Sequence, residues 1–252
     1  YADRVNQLPL GVVGVAIGTA LLPTLSRQIR AGKDREAQDS QNRGLELGML
    51  LTLPAAAGLM VLARPIVQVL FERGAFSPEA ADQTALALAA YAAGLPAFVL
   101  IKVFQPGFFA RQDTRTPVKV AAFAVILNLI LNLILMQYYA HVGLAMATAI
   151  SAWVNAAALA LLLNRRGYYS IHNRATSRVA RTLAASGVMA LGLLTATEPL
   201  WEWLNGTNLE AAVALGLLVI GGIVIYVISA GLFGAIRFDE LRETLRRRVG
   251  KS

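Results

Sequence analysis

Arg4 stands inside an apolar stretch that runs from about residue 1 to 26, with Asp3 beside it and Gln7 one turn further on. An ionised side chain in hydrocarbon costs at least about 2.5–3.5 kcal/mol, so such a residue needs a reason to be there. A guanidinium keeps its charge and grips phosphate oxygens through two parallel hydrogen bonds, which makes Arg4 a candidate ligand for phosphate in a water-filled cavity. Asp3 would orient or neutralise it, and Gln7, at i+3, could present an amide to the same space. The structural alternative is that Arg4 lies at the membrane interface, and the residues alone leave both open.

A second constellation is neutral. Asn128 and Asn132 are spaced i and i+4, and Thr148 falls in the next apolar stretch at a depth that could face them. Three oxygens of this kind could help bind a monovalent cation. No carboxylate accompanies them, and interhelical hydrogen bonds are the simpler reading. Among the remaining charges in apolar stretches, Glu46 sits near one end of its segment, and Lys102 lies about two turns from an end, close enough to snorkel. The sequence holds no cysteine, two histidines, no Gly-x-x-x-x-Gly-Lys-Ser/Thr loop and no His-Glu-x-x-His or Gly-x-Ser-x-Gly. Thiol chemistry, thiolate or imidazole metal sites and P-loop chemistry therefore lack the residues they need, and an enzyme is not expected.

The elements that must position these residues follow from composition. The 252 residues are 56% hydrophobic and 15% charged, with mean hydropathy +0.56, whereas soluble domains are about a quarter charged. Seven apolar stretches, at about 1–26, 44–63, 83–110, 118–136, 143–163, 179–197 and 211–236, approach the roughly 20 residues needed to cross a bilayer as helix. Continuous apolar runs rather than two-residue alternation select helices over a barrel. The expectation is an all-α polytopic membrane protein with seven transmembrane helices. Gly11, Gly14 and Gly18, with Pro54, Pro96, Pro106 and Gly107, concentrate helix breakers in the first three, as in transporters with moving bundles. Gly14 and Gly18 also fit an ordinary small-residue helix contact.

Charge tests this segmentation. Nineteen of the 23 Lys and Arg fall in the first, third and fifth connections and the tail, while the second connection holds Arg64 and Arg73 and the fourth and sixth hold none. An excess that alternates with every span places the basic connections and the tail in the cytoplasm. It also explains the pI near 10.2 through topology and anionic membrane lipid, leaving no role for nucleic acid. Phe238, Leu241, Leu245 and Val249 recur at helical spacing among tail arginines, a pattern suited to the headgroup layer. Trp201, Trp203, Tyr138 and Tyr139 fall where an outer aromatic belt belongs. In the third connection, Thr116 is the expected N-cap and Pro117 the first helical residue. The chain opens at Tyr1 without a signal-peptide pattern and reads as part of something longer.

Three stretches carry a resemblance: YADRVNQLPLGVVGVAIGTALLPTLSR at 1–27, RPIVQVLFERGAFS at 64–77 and KVFQPGFFARQDTRTPVKV at 102–120. They resemble the MurJ (MviN) family of bacterial lipid II flippases, and the similarity continues to the tail. The resemblance implies a fold of the multidrug/oligosaccharidyl-lipid/polysaccharide (MOP) exporter superfamily, with fourteen helices in two lobes plus a terminal pair that forms a lipid-tail groove. The seven spans would be the last seven helices. Residues 1–163 would then be part of the second lobe, 164–178 a cytoplasmic connection, 179–236 the groove pair and 237–252 a basic cytoplasmic tail, and the first lobe would be missing. The implied activity is alternating-access transfer of lipid II, the undecaprenyl-pyrophosphate-linked peptidoglycan precursor, across the bacterial cytoplasmic (inner) membrane.

The resemblance also implies roles for particular residues. Arg4 matches a cationic cavity residue, with Asp3 and Gln7 beside it. A sodium site ascribed to some members falls at Asn128, Asn132 and Thr148, but asparagine at 132 replaces an acidic ligand. No cofactor is implied, and sodium or the membrane potential are the candidate driving forces. Two alternatives compete. A drug/cation antiporter of the same superfamily would rely on an intramembrane carboxylate, for which Asp3 and Glu46 are available. A non-transporting membrane scaffold would make Arg4 incidental.

Overall fold

A computed structural model describes residues 2–71 and 78–235, without the side chains of 2–10, 12, 13, 15 and 78. The described chain is all helical. Its elements are α1 (Ala2–Arg30), α2 (Asp34–Val61), α3 (Ala63–Phe71), α4 (Pro78–Phe109), α5 (Arg115–Arg165), α6 (Asn173–Thr197), α7 (Trp201–Leu204) and α8 (Asn208–Leu232). Among the described residues, α2, α4, α5, α6 and α8 are long and apolar enough to cross a membrane. The basic tail beyond residue 236 and its apolar spacing lie outside the described residues.

The 51 residues of α5 would extend for about 77 Å at 1.5 Å per residue, more than twice the roughly 30 Å hydrocarbon layer. The helix instead reverses at one residue. Ala140 takes φ 47°, ψ −125°, and the Asn128 amide donates to the Thr148 hydroxyl oxygen at 3.4 Å across twenty positions of sequence, which only antiparallel arms allow. A Cβ at Gly143 would run into the Leu135 carbonyl, so glycine is what lets the arms close so near the bend. The expected connection at 137–142 is thus helix up to the break. The other two connections on this side are not plain loops either: α3 occupies part of the second and α7 part of the sixth.

Small residues set the packing, as expected where lipid tails remove the hydrophobic drive between helices. A Cβ at Gly48 would stand 2.9 Å from Val99 on α4, and one at Gly94 3.0 Å from the Ala149 backbone on the second arm of α5. Gly18, expected in such a contact, has open space within 4 Å, and the tight glycines Gly48 and Gly94 lie on α2 and α4 instead. Large apolar side chains such as Phe123, Ile126, Leu129, Ile220 and Ile228 face outward, which fits lipid as the surrounding solvent. Trp201, Trp203, Tyr138 and Tyr139 are exposed at the end that carries α7 and the α5 bend.

The connections at 31–33, 110–114 and 166–172 gather at the opposite, basic end. Each of the helices before them closes with a residue of positive φ, among them Gly167 at 69° and Gln112 at 61°. After Gly167, the Tyr168 N–H returns to the Leu163 carbonyl at 3.0 Å, a Schellman closure that needs the left-handed conformation. That turn aims Tyr168 and Tyr169 back at the bundle.

Candidate functional site

The backbone carrying Asp3, Arg4 and Gln7 is helical from Ala2 onward. Their side chains lie outside the described residues. The part of α1 that follows packs through Ile17 and Leu21 onto Gly44 and Gly48 of α2, so α1 is held against the bundle where its side chains are described.

Asn128, Asn132 and Thr148 do come together. The Asn132 amide donates to Asn128 Oδ1 at 3.0 Å, the Asn128 amide to Thr148 Oγ1 at 3.4 Å, and the Thr148 hydroxyl to the Leu144 carbonyl at 2.8 Å. The oxygens of Asn128 and Thr148 already accept N–H donors. Asn132 Oδ1 is buried without a hydrogen-bond partner, and no carboxylate joins them. One unclaimed neutral oxygen does not fit a dehydrated cation, which needs several converging oxygens. The trio pins the two arms of α5 together. Among the described residues, no group of three or more His, Cys, Asp or Glu side chains is placed to hold a metal ion.

The densest polar chemistry lies where no motif pointed, at the basic end. Asn42 of α2 is 4% exposed. Its amide lies 3.0 Å from the Ser170 carbonyl and 2.7 Å from His172 Nδ1, and its Oδ1 accepts the Tyr169 hydroxyl at 3.0 Å. Tyr169 is itself 2% exposed and packs against Phe104 at 5.7 Å between ring centroids. Burial, then the Glu46 carboxylate, push its hydroxyl pKa far above the ordinary tyrosine range. Beside it, Gln41 donates to the Val103 carbonyl of α4 at 3.1 Å, through a gap that a side chain at Gly107 would fill.

Two arginines of the basic connections are held at the same end. Arg111 stacks on Tyr168, 4.4 Å from the ring centroid, and bonds Asp34 at 3.1 Å. Arg166 pairs with Asp113 and donates to the Thr116 hydroxyl oxygen at 2.8 Å. The expected N-cap at Thr116 is corrected here: Thr114 occupies the cap position without a side-chain bond, and Asp113 Oδ1 instead accepts the Thr116 N–H at 3.0 Å. Hydrogen bonds from the Thr116 side chain and backbone, then the Arg166 guanidinium, hold the Asp113 carboxyl at about 2. The repeated arginines signalled topology to sequence reading; their role as ties between connections needed the fold.

Glu46, expected near the end of its span, makes a 2.6 Å ion pair with Arg178 of α6, the two side chains 13% and 20% exposed. Lys102 is exposed, as snorkelling requires. At the far end a cavity of about 520 Å³ opens between α2, α3, α6 and α7, lined by Arg64, Glu198 and Trp201 among apolar side chains. Arg64 pairs there with Asp82 at 2.7 Å.

Comparison with known proteins places this arrangement. The family model described as lipid II flippase MurJ matches residues 1–214. A Rhizobium tropici protein named "Probable lipid II flippase MurJ" is 43% identical over 98% of this chain and 47% of its own length. A Vibrio cholerae protein of the same name is 39% identical over 96% and 46%. A solved structure, the lipid II flippase MurJ in an inward closed conformation, superposes with TM-score 0.74 at 24% identity, covering 92% of this chain and 46% of that one, which supports the shared fold. The chain spans about half the length of the curated relatives it matches. The matched family consists of flippases, transporters rather than enzymes, and five apolar helices make this a multi-pass membrane protein. The chain belongs to the lipid II flippase MurJ family.

Proposed function

We propose that this chain is the C-terminal half of a flippase that carries lipid II from the inner to the outer leaflet of the bacterial cytoplasmic membrane by alternating access. The observation that carries the reading is the family match over residues 1–214. The partner it requires is a first lobe, since half of a two-lobed cavity has no facing wall. In this reading seven helices, counting α1 and the two arms of α5, are the last seven of fourteen. Residues 1–163 belong to the second lobe, 164–178 connect it, 179–236 form the isoprenoid groove, and 237–252 lie on anionic lipid at the cytoplasmic face. The basic end is cytoplasmic, because nineteen of 23 Lys and Arg gather there or in the tail.

In this reading Arg4 takes the diphosphate, Asp3 balances its charge between visits, and Gln7 supplies a neutral donor. A guanidinium suits a ligand of two linked phosphates, because its forked N–H groups match paired oxygens. No transport step is routed through sodium, whose expected ligands here bond one another. The membrane potential remains the driving force proposed for an anionic headgroup. The test is made in cells depleted of their own flippase and supplied with the full-length protein. Lipid-linked precursor should reach the outer leaflet with the wild type, and fall at least tenfold with Arg4→Ala at equal protein level, about the loss of one strong charge-assisted contact. No translocation by the wild type would favour a scaffold.

A further inference from the structure

The terminal helices are tied to α2 at successive turns of one face. Asn42, Glu46 and Leu50 are spaced i, i+4 and i+8, so they stack along a single stripe of the helix. Asn42 holds the 166–172 connection through Tyr169, Ser170 and His172. One turn on, Glu46 holds Arg178 of α6 at 2.6 Å. One turn further, the Leu50 carbonyl accepts the Tyr226 hydroxyl of α8 at 2.6 Å. Beyond these, Gly58 of α2 faces Met189 of α6, and the Ser229 hydroxyl of α8 reaches the Ala185 carbonyl of α6 at 3.3 Å. The connection, α6 and α8 are therefore each bonded to α2, and α6 and α8 to each other.

We propose that α2, α6 and α8 remain one body throughout the transport cycle, with Asn42 and Glu46 as positioning residues that keep the terminal pair on the lobe. The inference rests on the transport reading above. Separating α6 from α2 would strand the Asn42 amide, the Tyr169 hydroxyl and the Glu46 carboxylate together, and buried polar groups without partners are costly, a lone buried charge most of all. Tyr169 and Ala175 also sit in the same apolar cluster as Leu45 and Met49 of α2. Motion between inward and outward states is then taken up outside this body.

The test places one cysteine on each side of the joint, one turn before Asn42, and leaves the Asn42, Glu46 and Leu50 side chains in place. Gln38 and Ser170 meet at 3.1 Å through their side chains, and these 252 residues contain no cysteine. In the full-length protein, Gln38→Cys with Ser170→Cys is linked by a short, cleavable bifunctional thiol reagent in membranes with and without a membrane potential. The expected result is the same near-complete linking in both conditions and no loss of precursor translocation. Linking that depends on the potential, or translocation lost on linking and regained on cleavage, overturns the proposal. If the unlinked protein translocates nothing, the transport reading fails, and the linking yield still decides whether α2 and the 166–172 connection stay together. A second variant addresses the ion pair: Glu46→Gln should lower translocation about five- to tenfold at unchanged protein level. Exchange of the two charges, Glu46→Arg with Arg178→Glu, should restore it. An unchanged Glu46→Gln rate, or no recovery on exchange, removes Glu46 from the positioning role.

Discussion

Asp113 joins two connections with a single carboxylate, accepting the Thr116 N–H at the start of α5 and the Arg166 guanidinium at its end. Its pKa lies near 2, below the ordinary 3.8. A depressed carboxyl contributes stability that is complete above its unfolded value and is lost as pH falls through its folded one. The unfolding temperature of the full-length protein in detergent should therefore exceed that of Asp113→Asn by a constant margin from about pH 8 to 5, and the margin should shrink below about pH 4. A margin independent of pH down to acid unfolding would assign the effect to shape rather than charge. The sequence showed the arginines of this cluster as a topological signal. It could not show their partners, because Arg111 and Asp34 are 77 positions apart and Arg166 and Asp113 are 53.

Among the elements, α5 departs most from its sequence reading. Two apolar stretches and a connection were legible, yet the connection has shrunk to one residue of unusual backbone, because Gly143 lets its arm pass against the Leu135 carbonyl. Composition carries no such signal, since a glycine reads alike in open space and against a neighbouring backbone. Gly143→Ala should destabilise the full-length protein by about 1–3 kcal/mol, the usual cost of overpacking against atoms that cannot move aside. Gly18→Ala should be neutral or slightly stabilising, because nothing stands within 4 Å and alanine favours helix. Thermal unfolding of the two variants checks the contrast, and equal behaviour would contradict the packing described. On α2 only Glu46 stood out in the sequence, as a charge near the end of its segment; Asn42, and the partners of both, 127 to 132 positions away, emerge only once α6 is docked.

At the scale of the molecule, periodicity and charge predicted an all-helical membrane bundle with one basic end, and the connections at that end are where the polar side chains interlock. Apolar length and Lys/Arg placement are set by the bilayer itself, which is why they could be read without the fold. The cavity side of the account rests on Arg4 as a captor of diphosphate. Purified full-length protein in detergent, titrated with lipid II, measures that capture without any transport step. Arg4→Ala should weaken binding at least tenfold, about 1.4 kcal/mol, with Arg4→Lys between it and the wild type because an ammonium keeps the charge but loses the fork. Equal affinity in all three proteins would contradict the central claim.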